Sequence, residues 1–144
     1  MTDYEMLSKA LELAPKAHDG QEDKAGEPYI FHPVMVALQC ETAEEKVVAL
    51  LHDSVEDNGL SFDDISAAGF SQDIIDSICL LTHDWNECGY EEYIERLAKS
   101  GNKTAINVKI ADLTHNSDLS RLVGEKPYSY DKYVKALERL RDAL

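Results

Sequence analysis

Residues 47–57 combine an apolar run with residue types that bind metals and move protons. His52 and Asp53 follow the apolar run directly, and Glu56 and Asp57 come one helical turn later. Burying charge among aliphatic side chains is costly unless something compensates for it, and a divalent metal is a common compensation. A neutral imidazole and an ionised carboxylate are both good ligands for such a metal. The segment therefore predicts a metal site.

Helical spacing places the acidic residues of this segment near the histidine. Glu56 comes four residues after His52 and three after Asp53, and Asp57 comes four after Asp53. Residues three or four apart share a helix face. His52 and Asp53 are then candidate ligands, and Glu56 and Asp57 are candidate acid–base groups near a bound water. A solvated acidic helix end is the other interpretation.

Two further polar residues, His32 and Asp112, lie in apolar surroundings. Together with His52 and Asp53 they would supply two imidazoles and two carboxylates from three helices. Such a mixed set leaves room for water in a six-coordinate site, which favours manganese or ferrous iron over a closed zinc site. His32 could instead be an ordinary packed histidine, and Asp112 a buried partner of Lys109.

Three other histidines compete as ligands, and spacing alone does not exclude them: His18, His83 and His115. His115 is the strongest rival, because it comes three residues after Asp112 and shares its helix face. The residues alone therefore leave the ligand set open.

Helical patterns run through the chain, and no segment shows the sustained alternation of a β-strand. Caps and apolar spacing predict helices from Thr2 to about His18, Pro33 to Cys40, Thr42 to Asn58, Ser61 to Ala68, Ser71 to Leu81, Tyr90 to Lys99, Lys103 to about Leu119, and Tyr130 to Leu144. No repeat or linker interrupts them. We expect an all-α fold, a compact single-domain bundle of about seven to nine helices over residues 1–144.

The composition, with 144 residues of which 44% are hydrophobic and 29% charged, is typical of one soluble globular domain. The chain lacks a long apolar stretch and a signal-peptide pattern, so we expect a cytoplasmic protein without a membrane partner. The spacing of the three cysteines predicts reduced thiols, with Cys40 and Cys79 in the core. A net charge of −14 argues against nucleic acid as a partner, and a small phosphorylated ligand would need a metal and local cations.

The order of the candidate ligands, a histidine, a His-Asp pair and an aspartate, resembles the HD-domain superfamily of metal-dependent phosphohydrolases. More specifically, the chain resembles the hydrolase domain of the RelA/SpoT alarmone enzymes and their small stand-alone relatives. Four segments carry the resemblance: Ala17-His-Asp-Gly-Gln21, Gly26-Glu-Pro-Tyr-Ile-Phe-His-Pro33, Ala49-Leu-Leu-His-Asp-Ser-Val-Glu-Asp57 and Lys109-Ile-Ala-Asp-Leu-Thr-His-Asn116. They run through most of the chain in the family's order.

The resemblance implies an all-α HD-type fold and a bound manganese ion, with ferrous iron or another divalent ion as alternatives. The implied metal ligands are His32, His52, Asp53 and Asp112. The implied acid–base pair is Glu56 and Asp57, and the implied substrate contacts are Lys24, Tyr29 and Asn116. The family hydrolyses the 3′-pyrophosphate of guanosine tetraphosphate or pentaphosphate, so the implied partner is a small phosphorylated nucleotide.

The chain departs from the family pattern at two places. Asp23 stands where the family usually has an arginine, and Leu113-Thr114 replaces an Arg-Leu pair, so two cations are lost. Three hypotheses remain: a manganese-dependent guanosine 3′,5′-bis(diphosphate) 3′-pyrophosphohydrolase, a phosphohydrolase of another nucleotide such as NADPH or a nucleoside phosphate, and a non-catalytic nucleotide-binding module. The Glu56–Asp57 pair counts against the third, and Asp23 favours a shifted substrate.

Overall fold

The computed structural model describes residues 1–57, 59–117 and 130–144, and all of their side chains except those of Glu56 and Asp57. These residues form eight helices: α1 (Asp3–Ala17), α2 (Phe31–Gln39), α3 (Ala43–Asp57), α4 (Phe62–Ala67), α5 (Gln72–Leu81), α6 (Tyr90–Lys99), α7 (Lys103–Asn116) and α8 (Tyr130–Asp142). Within these ranges, extended pairing is limited to an isolated bridge between Glu22 and Pro28. The predicted all-α fold is confirmed.

Polar caps fix where several of the helices begin. Four helices start after a side chain that accepts a backbone N–H from the first turn: Thr2, Ser61, Ser71 and Asn102. The predicted capping box of α3 is present, because the Glu45 N–H donates to Thr42 Oγ1 over 3.1 Å and the Thr42 N–H donates to Glu45 Oε1 over 3.2 Å. These local contacts explain why the beginnings of the helices follow from the sequence.

Helix α7 ends earlier than predicted, at Asn116 rather than near Leu119. Ser117 leaves the helical conformation, with φ −95° and ψ 4°, and its N–H closes the last turn on the carbonyl of Leu113. Residues 118–129, which follow this helix, lie outside the described residues.

Helix α3 lies at the centre of the bundle and packs against α1, α2, α5 and α7. Residues 47–54 of this helix are all buried, so it has no solvent-facing side over this stretch. A helix that is apolar on every side is typical of a buried core element. The aliphatic residues therefore carry His52 and Asp53 into the interior, beside α2 and α7.

The cysteines show one correct and one wrong prediction. Cys40 is buried as expected, whereas Cys79 is exposed. Helix α5 turns Ile74, Ile78 and Leu81 toward the core, and Cys79 lies on the other side of the helix. All three thiols are free. None of the helices in the described ranges is both long and apolar enough to cross a membrane.

Candidate metal centre

Three helices bring His32, His52, Asp53 and Asp112 together in one buried cluster. Helix α2 contributes His32, α3 contributes the His52–Asp53 pair, and α7 contributes Asp112. Asp53 is the most accessible of these side chains, with 12% of its surface exposed. Asp53 is therefore the member of the cluster with the most contact with solvent.

The polar atoms of the cluster are as close as the ligands of one metal ion. His32 Nε2 lies 2.7 Å from Asp112 Oδ1 and 4.0 Å from Asp53 Oδ2. His52 Nε2 lies 3.0 Å from Asp53 Oδ1 and 3.9 Å from Asp112 Oδ1. Ligand atoms about 2.1 Å from a shared ion are separated by no more than about 4.2 Å. His32, Asp53 and Asp112 each offer a ligand atom within 4.8 Å of the others, so these three fit one divalent cation. His52 lies beside this group, against Asp53 and Asp112.

The orientation of His52 leaves one ring nitrogen without a hydrogen bond. Nδ1 lies 2.8 Å from the carbonyl oxygen of Ala49, and it carries a proton because a carbonyl only accepts. Nε2 is buried and has no hydrogen-bond partner among the described residues, although Asp53 Oδ1 is 3.0 Å away. A buried polar atom without a partner is unfavourable. In the neutral ring the lone pair of Nε2 is the donor that a metal requires, whereas a proton on Nε2 would donate to Asp53 Oδ1.

His115 lies behind His32 rather than inside the cluster. The two Nδ1 atoms are 2.6 Å apart, and the rings stack with centroids 4.8 Å apart and an interplanar angle of 26°. Metal-ligating histidines generally donate their second N–H to a carboxylate, backbone carbonyl or water, which fixes the ring and directs the other nitrogen at the metal. Here the His115 ring nitrogen takes that place beside His32 Nδ1. The strongest rival ligand from the sequence is thus in a position to orient His32.

Both carboxylates are held from outside the cluster. The Tyr29 hydroxyl donates to Asp53 Oδ2 over 2.7 Å, and Lys109 Nζ donates to Asp112 Oδ2 over 3.0 Å. The other oxygen of each carboxylate faces a histidine. The predicted substrate contact Tyr29 therefore touches a proposed metal ligand. The pairing of Lys109 with Asp112, which was an alternative to a metal role, occurs alongside the cluster.

Mutual charges shift the pKa values of the cluster. Burial lowers the pKa of His52, but the carboxylates of Asp53 and Asp112 outweigh it and raise this pKa to about 9. Burial raises the pKa of Asp53, but His52 and the Tyr29 hydroxyl bring it down to about 2. The pKa of Asp112 lies well below its usual range, because Lys109 outweighs the effect of burial. In the metal-free molecule, a proton on His52 thus supplies positive charge where a metal would supply it.

The other predicted site residues lie around the cluster. Lys24 is exposed on the loop between α1 and α2, and Asn116 is half-buried at the end of α7. Glu56 and Asp57 belong to the last turn of α3, and their side chains lie outside the described part of the structure. Their acid–base role stays a prediction.

No protein-family model matches the chain. The chain is similar to the bifunctional (p)ppGpp synthase/hydrolase SpoT of Escherichia coli (strain K12), with 35% identity over 123 residues, which cover 76% of this chain and 17% of SpoT. It is also similar to the putative GTP diphosphokinase RSH1, chloroplastic, of Arabidopsis thaliana, with 47% identity over 68 residues, which cover 44% of this chain and 8% of that protein. The chain thus spans less than a fifth of the length of these curated relatives.

One solved structure matches almost the whole fold. It is described as a metazoan ortholog of SpoT that hydrolyzes ppGpp, and it superposes with a TM-score of 0.76 and 26% identity over 96% of this chain and 84% of that chain. The chain belongs to the HD-domain proteins of the RelA/SpoT type. The order of ligand candidates in the sequence and the cluster formed by α2, α3 and α7 are consistent with this family.

The two departures of this HD-domain protein from the family pattern have structural explanations. Asp23 Oδ1 accepts hydrogen bonds from the backbone N–H groups of Ala25 and Glu27 over 2.9 and 3.0 Å. The carboxylate therefore stabilises the loop in which it lies. Leu113 is completely buried and belongs to the core, so position 113 serves packing in this chain.

The two remaining histidines lie outside the cluster. His18 Nδ1 lies 2.9 Å from Gln21 Oε1, and His83 Nε2 lies 2.9 Å from the carbonyl oxygen of Cys88. The sequence alone did not indicate that His115 and Tyr29 contact the proposed ligands His32 and Asp53. The spacing between Asp112 and His115 was a signal for the first, but no local pattern indicated the second.

Proposed function

We propose that this HD-domain protein is a metal-dependent phosphohydrolase that removes the 3′-pyrophosphate of guanosine 3′,5′-bis(diphosphate). One observation carries the proposal: His32, Asp53 and Asp112 come from three helices, are buried, and offer ligand atoms within 4.8 Å of one another, as a metal site requires. The likeness to SpoT, and to a metazoan ortholog described as hydrolysing ppGpp, supports the choice of substrate.

The proposed metal ligands are His32, His52, Asp53 and Asp112, and the proposed ion is manganese. Two imidazoles with two carboxylates suit manganese or ferrous iron better than the cysteine-rich sets of structural zinc. When bound, a divalent ion lowers the pKa of a coordinated water and offsets negative charge on phosphoryl oxygens. Outside the ligands, Tyr29 fixes one carboxylate by a hydrogen bond of 2.7 Å, which keeps its other oxygen directed into the cluster.

Glu56 and Asp57 are the proposed acid–base groups of the reaction. They follow Asp53 within one helical turn of α3, where a side chain can take a proton from the attacking water and return one to the leaving group. The change Glu56→Gln should leave metal binding intact and lower kcat by roughly 10²–10⁴. Full activity in this variant would contradict the assigned role.

The proposal is tested by measuring pyrophosphate and orthophosphate separately across a panel of nucleotides with manganese present. We expect guanosine 3′,5′-bis(diphosphate) to release pyrophosphate, and we expect Asp53→Asn to abolish the release. Asp63→Asn is the matched control, because Asp63 is an exposed aspartate at the start of α4. Equal loss in both variants, or no pyrophosphate from the guanosine substrate, would contradict the proposal.

A phosphohydrolase acting on another nucleotide, such as NADPH or a nucleoside phosphate, is the second candidate. Asp23 favours it, because the loop before Tyr29 has a carboxylate where the family usually has an arginine. The same panel separates the two candidates. A higher kcat/KM for another nucleotide would make that nucleotide the proposed substrate in place of the guanosine alarmone.

A further inference from the structure

Two buried side-chain atoms lack a hydrogen-bond partner in the described part of the structure: His52 Nε2 and the Tyr90 hydroxyl. The first atom faces Asp53 Oδ1 at 3.0 Å and belongs to the proposed metal centre. The second atom has no such explanation, although native structures contain few buried polar groups without a partner. A hydroxyl that is costly to the fold and unused within it is a candidate for ligand binding.

Tyr90 differs in this respect from its neighbour Tyr93 and from Tyr29 at the metal centre. The Tyr93 hydroxyl donates to the carbonyl oxygen of Leu81 over 2.7 Å, and the Tyr29 hydroxyl donates to Asp53. Both hydroxyl groups therefore have a use within the protein. Tyr90 thus presents an available donor in the same region of the molecule.

A chain of contacts through Tyr93 and Lys109 links Tyr90 to the metal centre. Its ring centroid lies 5.8 Å from that of Tyr93, and Lys109 Nζ lies 5.5 Å from the Tyr93 centroid. Lys109 in turn donates to Asp112 over 3.0 Å. Lys109 and Asp112 are both among the charged groups that act on the Tyr90 hydroxyl. The hydroxyl therefore lies within the electrostatic field of the cluster.

Lys109 also has unused donors. Its ammonium group carries three N–H bonds, and among the described contacts one of them is used, on Asp112. Its side chain is only 13% exposed, so water does not freely satisfy the others. A buried cation and a buried hydroxyl with spare donors together suit an anion that has several acceptor oxygens.

The surrounding side chains hold the Tyr90 ring in place. The ring of Trp85 lies nearly parallel to the Tyr90 ring, with an interplanar angle of 16° and centroids 6.3 Å apart. Lys132 Nζ lies 4.4 Å from the centroid of the Tyr90 ring. Burial raises the pKa of Tyr90 to about 12, so the hydroxyl remains a donor at neutral pH. A fixed donor needs no reorganisation when a ligand binds.

We propose that the Tyr90 hydroxyl and Lys109 Nζ form an oxyanion subsite that binds a phosphoryl oxygen of a ligand at the metal centre. The subsite rests on the proposed phosphohydrolase function and adds two substrate-binding groups to it. Its chemical target is a tetrahedral phosphoryl group, whether it belongs to a nucleotide or to free phosphate.

The test compares Tyr90→Phe with Tyr93→Phe in the manganese-loaded protein. Tyr90→Phe removes a hydroxyl that the fold does not use, so its unfolding temperature should equal or exceed that of the wild type. Tyr93→Phe removes a hydrogen bond to the Leu81 carbonyl, so its unfolding temperature should fall. A fall for Tyr90→Phe as large as that for Tyr93→Phe would show that the hydroxyl serves the fold and would overturn the proposal.

The second measurement is the binding of orthophosphate. Trp85 is the only tryptophan of the chain and lies beside Tyr90, so its fluorescence can follow the titration. We expect Tyr90→Phe to weaken phosphate binding about tenfold or more, because a hydrogen bond to a charged acceptor is lost. Tyr93→Phe should bind phosphate as the wild type does. Equal phosphate affinity in Tyr90→Phe and the wild type would overturn the subsite.

The subsite and the proposed reaction can fail separately. If the wild type releases pyrophosphate but Tyr90→Phe binds phosphate normally, the subsite is wrong and the reaction stands. If no nucleotide is hydrolysed but Tyr90→Phe still loses phosphate binding, the reaction is wrong and the subsite stands.

Discussion

The proton on His52 competes with a metal ion for the same nitrogen. In the metal-free protein the pKa of His52 is about 9, which lies about two units above neutral pH. Each unit corresponds to about 1.36 kcal/mol, so removing the proton at pH 7 costs about 2.7 kcal/mol. Metal affinity should therefore rise about tenfold for each pH unit between 7 and 9, with about one proton released for each ion bound.

Isothermal titration of the metal-free protein with manganese measures both quantities. Titrations at pH 7 in two buffers with different ionisation enthalpies count the released protons, and titrations at higher pH give the slope. His52→Gln is the control, because it should bind the metal more weakly and lose the steep dependence on pH. A wild-type affinity that does not change over this range, or binding without proton release, would refute the reasoning.

The same pKa sets the sign of the stability change in the metal-free protein. The folded-state pKa of His52, about 9, lies above the ordinary value of 6.5. The stabilisation is therefore complete below pH 6.5 and is lost as the pH rises through 9. The affinity of the protein for manganese rises over the same pH range. The unfolding temperatures with and without manganese should therefore move apart as the pH rises.

Three further changes probe the groups around the cluster. Lys109→Met leaves the buried carboxylate of Asp112 without its cation, so denaturant titration should show a loss of about 3–5 kcal/mol in the metal-free protein and a smaller loss with manganese; equal losses would argue against a metal beside Asp112. Tyr29→Phe removes the hydrogen bond to Asp53 and should weaken manganese binding about 10–100-fold without changing the circular dichroism spectrum, whereas an unchanged affinity would contradict this positioning role. Asp23→Asn keeps an acceptor oxygen for its loop and removes one negative charge, so KM for the nucleotide at low salt should fall by about two- to fivefold, and a rise would be contrary to expectation.

The helices follow from the sequence because their signals are local. The Thr42–Glu45 capping box and the caps of the other helices depend on contacts between residues a few positions apart. The prediction that Cys79 lies in the core was wrong. The apolar character of a segment does not show which side of its helix faces the core. The spacing of Ile74, Ile78 and Leu81 determines that side of α5.

The metal cluster depends on long-range packing, and here the residues alone were insufficient. His32 and Asp112 are separated by 80 positions in the chain and still approach within 2.7 Å. Residue types narrowed the ligands to histidines and aspartates, but His115 remained a rival until the order of motifs was compared with a family. The hydrogen bond from Tyr29 to Asp53 and the unpartnered Tyr90 hydroxyl have no local signature, because each arises from the packing of different elements.

Anomalous X-ray scattering from a crystal of the manganese-loaded protein tests the central claim most directly. We expect one strong manganese peak, bonded to His32 Nε2, His52 Nε2 and the carboxylates of Asp53 and Asp112. A peak held by other residues, or a protein that contains these four side chains and takes up no divalent ion, would contradict it.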